Sequence, residues 1–166
     1  MSTFAVLVMG IFVYRLWPEG KLPPNARADK VSVFKSNREL HLIGRGELLK
    51  VYEVGLGRVP IGRKSQQGDH KTPEGNYVLD YHNPESRFHR SIHISYPNEE
   101  DILHANKLGV SPGGAVMIHG LPRWTSWVGK LHRFFDLSDG CIVVTNEEMD
   151  ELWEAIPDGT PIEIRP

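Results

Sequence analysis

Met117-Ile118-His119-Gly120 and Ser138-Asp139-Gly140-Cys141-Ile142-Val143-Val144 are the stretches on which the reading of this chain turns. Each joins a short apolar run to a glycine, as a strand does where it meets a turn. Laid side by side, the two strands would set His119 against Cys141, although 22 positions separate them. A free thiol, with a pKa of about 8.5, is a poor nucleophile until it loses its proton. A His within hydrogen-bond reach takes that proton and later returns it to a leaving amine. Gly140 lets the backbone approach a substrate carbonyl. The N–H of Cys141, with that of Gly140 or Asp139, would then hold the developing oxyanion, and losing one such donor costs about 3–4 kcal/mol of barrier. A lone Cys in an apolar strand also fits an inert core position, and a lone His before Gly also fits a structural role. The Ser-x-Gly-Cys arrangement, with His-Gly upstream and a long loop between, weighs toward chemistry.

Outward from this pair, alternation of apolar and polar residues predicts strands at 30–34, 39–43 and 48–56, joined by tight turns into a meander. Further strands are predicted at 76–81, 91–95, 115–119 and 141–145, with a last edge strand at 161–164. In 91–95, Ile92 and Ile94 share one face and His93 takes the other. Asn98 with Asp101, and Thr145 with Glu148, are capping boxes that open two short helices. Met149, Leu152, Trp153 and Ile156 recur at helical spacing and belong to the core. Residues 58–72, 82–90 and 120–139 have no period and are predicted as loops. The expected fold is mainly β, a small sandwich or barrel with two short peripheral helices, preceded by an N-terminal hydrophobic helix.

Composition narrows the function. The chain has 166 residues, a formal charge of −2 and a pI of about 6.4. A near-neutral surface is a poor binder of phosphate backbones, so nucleic acid is excluded as the main partner. One cysteine makes neither an internal disulfide nor a C-x-x-C pair. Grouping His93, His119, His132 and Cys141 around zinc matches no recognised ligand spacing, so no metal is expected.

The start of the chain is read separately, and three segments are expected: 1–17, 18–29 and 30–166. Residues 4–17 form an apolar run broken only by Arg15. As a helix this run spans about 21 Å, short of the roughly 30 Å bilayer core, with Trp17 and Arg15 suited to the headgroup region. It reads as an export anchor in the inner membrane. A cleaved signal, with Ala26-Arg27-Ala28 as its small-x-small site, and a buried helix are the alternatives; the lack of a polar face opposes the last. Residues 18–29 are a Pro-rich linker.

The pattern His119-Gly120 … Ser138-Asp139-Gly140-Cys141 resembles the catalytic signature of the YkuD-type L,D-transpeptidases: His-Gly, a variable loop, then Ser/Thr-x-Gly-Cys. The segment from Gly68 through Thr72-Pro73-Glu74-Gly75 to Tyr77 resembles the family's Thr-Pro-x-Gly stretch. Residues 91–98 and 139–153 are similar to the YafK-like branch. The resemblance implies a YkuD-like β fold, Cys141 as nucleophile, His119 as proton donor and acceptor, no cofactor, and work outside the cytoplasm on peptidoglycan stem peptides. Cys141 would attack the carbonyl at the L-centre of the third stem residue, and the terminal D-Ala would leave. The thioester would pass to an amine of a second stem. With water as acceptor the outcome is L,D-carboxypeptidation, and with a wall-linked protein as leaving group it is release of that protein. A non-catalytic wall-binding module is a third possibility. Two departures stand out: Asp139 where many members have His, and Val143 where many have Arg. The missing arginine leaves Arg87, Arg90, Arg123 or Arg133 to read a substrate carboxylate.

Around the pair, Ser138, Asp139, Gly140 and Gly120 are candidate supporting or oxyanion residues. His93, Arg123, Trp124, His132 and Arg133 are candidate substrate contacts. Trp124, Trp127, Phe134 and Phe135 form either a lid or sugar-stacking wall, or a small core beneath the loop. An acidic Asp139 beside the thiol disfavours thiolate unless His or Arg pairs with it.

Overall fold

A computed structural model describes residues 20–166; the side chain of Arg123 is outside the description, as are residues 1–19, and with them the expected anchor at 4–17. Among the described residues no helix is long and apolar enough to cross a membrane.

Eight strands form one sheet: β1 (Lys30–Phe34), β2 (Glu39–Gly44), β3 (Glu47–Glu53), β4 (Gly75–Asn83), β5 (Ser91–Ile94), β6 (Met117–His119), β7 (Ile142–Val143) and β8 (Thr160–Arg165). Their order is β3-β2-β1-β8-β4-β5-β6-β7. The β1–β8 and β6–β7 pairs are parallel and the others antiparallel. The chain leaving β3 reaches the far edge of the sheet. Gly55 exchanges both backbone hydrogen bonds with Val143 at 2.9 Å, and Gly57 bridges Ser138. The sheet therefore curls until its two ends touch beside Cys141, a barrel-like closure rather than two stacked sheets.

Period-two alternation explains the core. Val31, Val33, Leu40, Leu42, Ile92, Ile94, Ile118, Ile142, Ile162 and Ile164 point to one side and are buried. Each such side chain contributes about 1.5–3 kcal/mol. Met149, Leu152 and Ile156 of α2 (Asn146–Ala155) close the same core, with Trp153 at its edge. Both capping boxes are formed: Asn98–Asp101 opens α1 (Glu99–Leu108), and Thr145–Glu148 opens α2.

Three differences from the sequence reading stand out. The last strand is central, between β1 and β4. A central strand tolerates Pro161, which lacks an N–H, because the β1 ladder begins one residue later, at Ile162, so only β4 flanks the proline. The stretch 120–139 is not plain loop: Arg123–Phe134 forms a 3-10 segment kinked at Gly129, giving three helical segments rather than two. Nor do its aromatic residues make a small core, since Trp124 and Trp127 are 79% and 81% exposed and Phe134 and Phe135 are also exposed.

Candidate active site

The register of β6 and β7 sets the geometry. Ile118 lies opposite Ile142, and His119 opposite Val143. One residue back on each strand, Met117 and Cys141 share a level. Aligned residues of neighbouring strands face the same side, so Met117, His119, Cys141 and Val143 all face away from the core. His119 and Cys141 become diagonal neighbours on that face, with backbones about 7–8 Å apart. Both line a cleft of about 830 Å³. It is lined by Arg87, Phe88 and neighbouring residues of the loop before β5, by the 3-10 segment and by the turn 138–141.

His119 is held on two sides. Its Nδ1 lies 2.7 Å from the Gly120 carbonyl oxygen. A carbonyl only accepts, so Nδ1 carries the proton and Nε2 keeps its lone pair. Phe88 stacks on the ring, centroids 4.4 Å apart. Burial pushes the imidazole below its ordinary value; the Gly120 bond opposes this, while nearby Arg87 and His132 reinforce it. Burial thus favours the neutral imidazole, with its Nε2 lone pair free of the Gly120 bond. Sequence reasoning gave Gly120 a supporting place without seeing that its carbonyl orients the imidazole. It missed Phe88 altogether, because a loop with no period carries no signal for a stacking partner.

Cys141 is half-buried at the cleft. Its Sγ faces the Ala115 carbonyl at 3.8 Å and accepts the Met117 N–H. Burial pushes the thiol above its ordinary value; Met117 opposes this, and Asp139 adds to it. Both displacements favour the neutral forms, thiol and imidazole.

The turn 138–141 is built by Ser138, whose Oγ donates to the Cys141 carbonyl at 2.7 Å and accepts the Gly140 N–H at 3.1 Å. The Gly140 amide, offered above as an oxyanion donor, is occupied by that hydroxyl. Gly140 instead meets a need for space and freedom: its φ is +127°, and a Cβ would stand 2.6 Å from the Lys71 carbonyl oxygen. Asp139 turns outward to pair with Arg58 and with His70 Nδ1, the latter at 2.8 Å. Arg58 above all holds its carboxyl below the usual range; burial opposes this, and His70 adds to the lowering. The condition that Asp139 be paired is met.

The remaining candidates separate. His132 is buried and lines the cleft, with ring nitrogens 2.8 Å from the Gly129 carbonyl and 3.2 Å from that of Val143. Trp124 lines the cleft and is exposed. His93 lies on the same sheet face, since it pairs with Met117, but binds Asp80 at 2.7 Å and stacks on Tyr81 outside the cleft. Arg133 is not at the cleft. It is buried and bound to Glu53 and Glu148, so it ties β3 and the 3-10 segment to the start of α2. Arg90 binds Asp150 and lies over Trp153. Arg123 opens the 3-10 segment, and its side chain lies outside the described residues. Arg87 does line the cleft.

A barrel-like sheet carrying Cys and His at the ends of parallel neighbours, with Ser-x-Gly-Cys as the turn, defines a class. Residues 28–164 match the YkuD family, the L,D-transpeptidase catalytic domain, and the chain belongs to it. Within it, the chain is similar to YafK of Escherichia coli (strain K12), 31% identical over 132 residues, 76% of this chain and 46% of that protein. It is also similar to YqjB of Bacillus subtilis (strain 168), 30% identical over 151 residues, 89% of this chain and 76% of the other. The chain thus spans about half the length of YafK. Among solved structures it shares its fold with Pgp2, the helical cell shape determining protein of Campylobacter jejuni, with a TM-score of 0.63 at 21% identity, covering 94% of this chain and 54% of that one. It also shares it with an L,D-transpeptidase of Enterococcus faecium, with a TM-score of 0.56 at 16% identity, covering 86% and 51%.

Proposed function

We propose that this chain is a cysteine-dependent L,D-transpeptidase acting on peptidoglycan stem peptides outside the cytoplasm. The observation that carries this reading is the placement of Cys141 and His119 on one sheet face, in one cleft, with the Nε2 lone pair of His119 left unused by its Gly120 bond.

The chemistry follows from two neutral groups. The Cys141 Sγ proton passes to His119 Nε2 as sulfur attacks the carbonyl carbon of the amide between the third stem residue and D-Ala. The carbonyl oxygen takes the electron pair as an oxyanion. On its collapse the C–N bond breaks, and His119 returns the proton to the leaving nitrogen, so D-Ala departs as an amine. The thioester on Cys141 then meets the side-chain amine of a second stem, which gives its proton to His119 as the new amide forms and the thiol is restored. Water in place of that amine yields a tripeptide, so acceptor choice alone separates transpeptidase from carboxypeptidase. The exposed Trp124 and Trp127 beside the cleft give a surface on which sugar or acceptor can rest. Residues 4–17 would hold the domain at the membrane through the 18–29 linker.

Incubation with purified disaccharide tetrapeptide, with and without a second stem, is the test. A mass adduct on Cys141 followed by crosslinked dimer or tripeptide is expected. It should vanish in Cys141→Ala and slow by orders of magnitude in His119→Ala. An unmodified thiol in the folded wild-type protein would sink the reading.

A further inference from the structure

We propose that Arg87 is the carboxylate-reading residue of the cleft, so that this site selects donors bearing a free carboxylate next to the scissile amide. The inference rests on the transpeptidase reading above and goes beyond it by assigning donor specificity to a loop residue.

Three observations carry it. First, Arg87 lines the cleft, while the other described arginines considered for this part are committed elsewhere, Arg90 to Asp150 and Arg133 to Glu53 and Glu148. Second, among the described residues Arg87 has no carboxylate within ion-pair distance; its guanidinium lies over the Phe88 ring, 4.8 Å from the centroid. A guanidinium stacked on an aromatic face is positioned and only partly hydrated while its donor edges stay open to a planar anion. Third, Phe88 also stacks on His119, so Arg87 and His119 share the Phe88 ring as a neighbour. The cation therefore lies no more than about 9 Å from the imidazole, a span of at most two to three residues at about 3.5 Å each.

That spacing suits the reaction. The nitrogen that leaves with the proton from His119 belongs to a residue whose own carboxylate lies two bonds further on. A cation within that distance can hold that carboxylate while the imidazole serves the nitrogen. The guanidinium also helps push the His119 imidazole down, and a bound carboxylate would relieve that push as the substrate arrives. A carboxylate on the third residue's side chain offers the same chemistry from a second source.

The experiment compares three disaccharide-tetrapeptide donors: the free acid, the same donor amidated at its terminal carboxyl, and the donor amidated on the third residue's side chain. Binding to Cys141→Ala is measured by calorimetry, and turnover is measured in the wild type. Since a charge-assisted pair contributes about tenfold or more, the free acid should bind at least tenfold more tightly than the terminal amide. Adding Arg87→Gln to the binding variant should erase that preference, and Arg87→Lys should restore part of it. If only the side-chain amide loses affinity, and Arg87→Gln removes that difference instead, Arg87 still reads a carboxylate but from the third residue. Equal binding of all three donors, or a preference that survives Arg87→Gln, overturns the proposal even if turnover is normal. Selective binding without any turnover or acylation in the wild type would leave Arg87 standing and overturn the transpeptidase reading instead.

Discussion

Phe88 lies almost flat against His119, ring centroids 4.4 Å apart and planes 24° apart. Together with the 2.7 Å bond from Nδ1 to the Gly120 carbonyl, this fixes the plane and the tautomer of the imidazole before any substrate binds. A carboxylate usually performs the orienting task in triads of this logic. Here a backbone oxygen and an aromatic face do it, and neither adds a negative charge that would raise the basicity of an already buried ring.

Phe88→Ala tests the clamp. The ring sits on a loop rather than in the core, so the fold should survive with a loss of about 1 kcal/mol, the size of an aromatic pair. A misaimed imidazole is more costly, and kcat should fall about tenfold to a hundredfold with a smaller change in KM. Steady-state kinetics beside a thermal melt check this. Equal losses in kcat and stability, with the pH profile unmoved, would reduce Phe88 to packing.

Gly140→Ala tests the turn. A Cβ there would stand 2.6 Å from the Lys71 carbonyl, and the residue would be forced to φ +127°. Strain of this kind costs about 1–3 kcal/mol, and relief requires moving the 138–141 turn that carries Cys141. Acylation of the thiol should drop by at least a hundredfold, because such a shift misplaces the sulfur. Mass spectrometry of the acyl-enzyme against time reads it, and wild-type acylation by a folded Gly140→Ala protein would refute the account.

Asp139→Asn should make the thiol more reactive. The carboxylate is one of the influences holding the Cys141 thiol up, although it is shared with Arg58 and His70. Removing its charge favours thiolate. Because the groups are exposed and screened, the gain in the iodoacetamide alkylation rate at pH 7.5 should be modest, about threefold. A slower rate would mean that the Arg58–Asp139–His70 cluster positions the turn more than it charges it.

What the sequence disclosed of all this was the local part. Alternation marked β1 at its observed bounds, and both capping boxes predicted their helix starts, because a cap is chemistry among neighbours three residues apart. Cys141 and His119 were legible as a pair through the turn residues around them. Strand order was not: β8 runs between β1 and β4, and nothing within 161–164 records which strands flank it. The same limit hid Phe88, and made Arg133 look like a cleft residue when Glu53 and Glu148, distant in sequence, bury it. The closure of the barrel through Gly55 and Gly57 pairs them with Val143 and Ser138, far away in sequence, which local pattern does not record.

The pH dependence follows from the two displaced groups. The imidazole is held below its ordinary 6.5, chiefly by burial, and the thiol above its ordinary value, again chiefly by burial. Attack needs neutral His119, so kcat/KM should stay high as pH drops to 6.5 and fall only below it, with an acid limb that Phe88→Ala shifts toward 6.5 as burial is lost. Alkylation of the free enzyme should rise with pH up to an inflection above about 8.5, with no thiolate plateau in the range from pH 5 to 7. Stability obeys the same sign. The unfolded chain takes up a proton on this histidine near 6.5 while the folded one resists, so the folded state loses stability as pH falls from 6.5 to the folded pKa and no further below it. Chemical denaturation at pH 7.5 and 5.0 should show a smaller acid loss in His119→Gln than in the wild type. A thiolate plateau at pH 6 would instead establish an ion pair in the resting enzyme and overturn the neutral-pair chemistry.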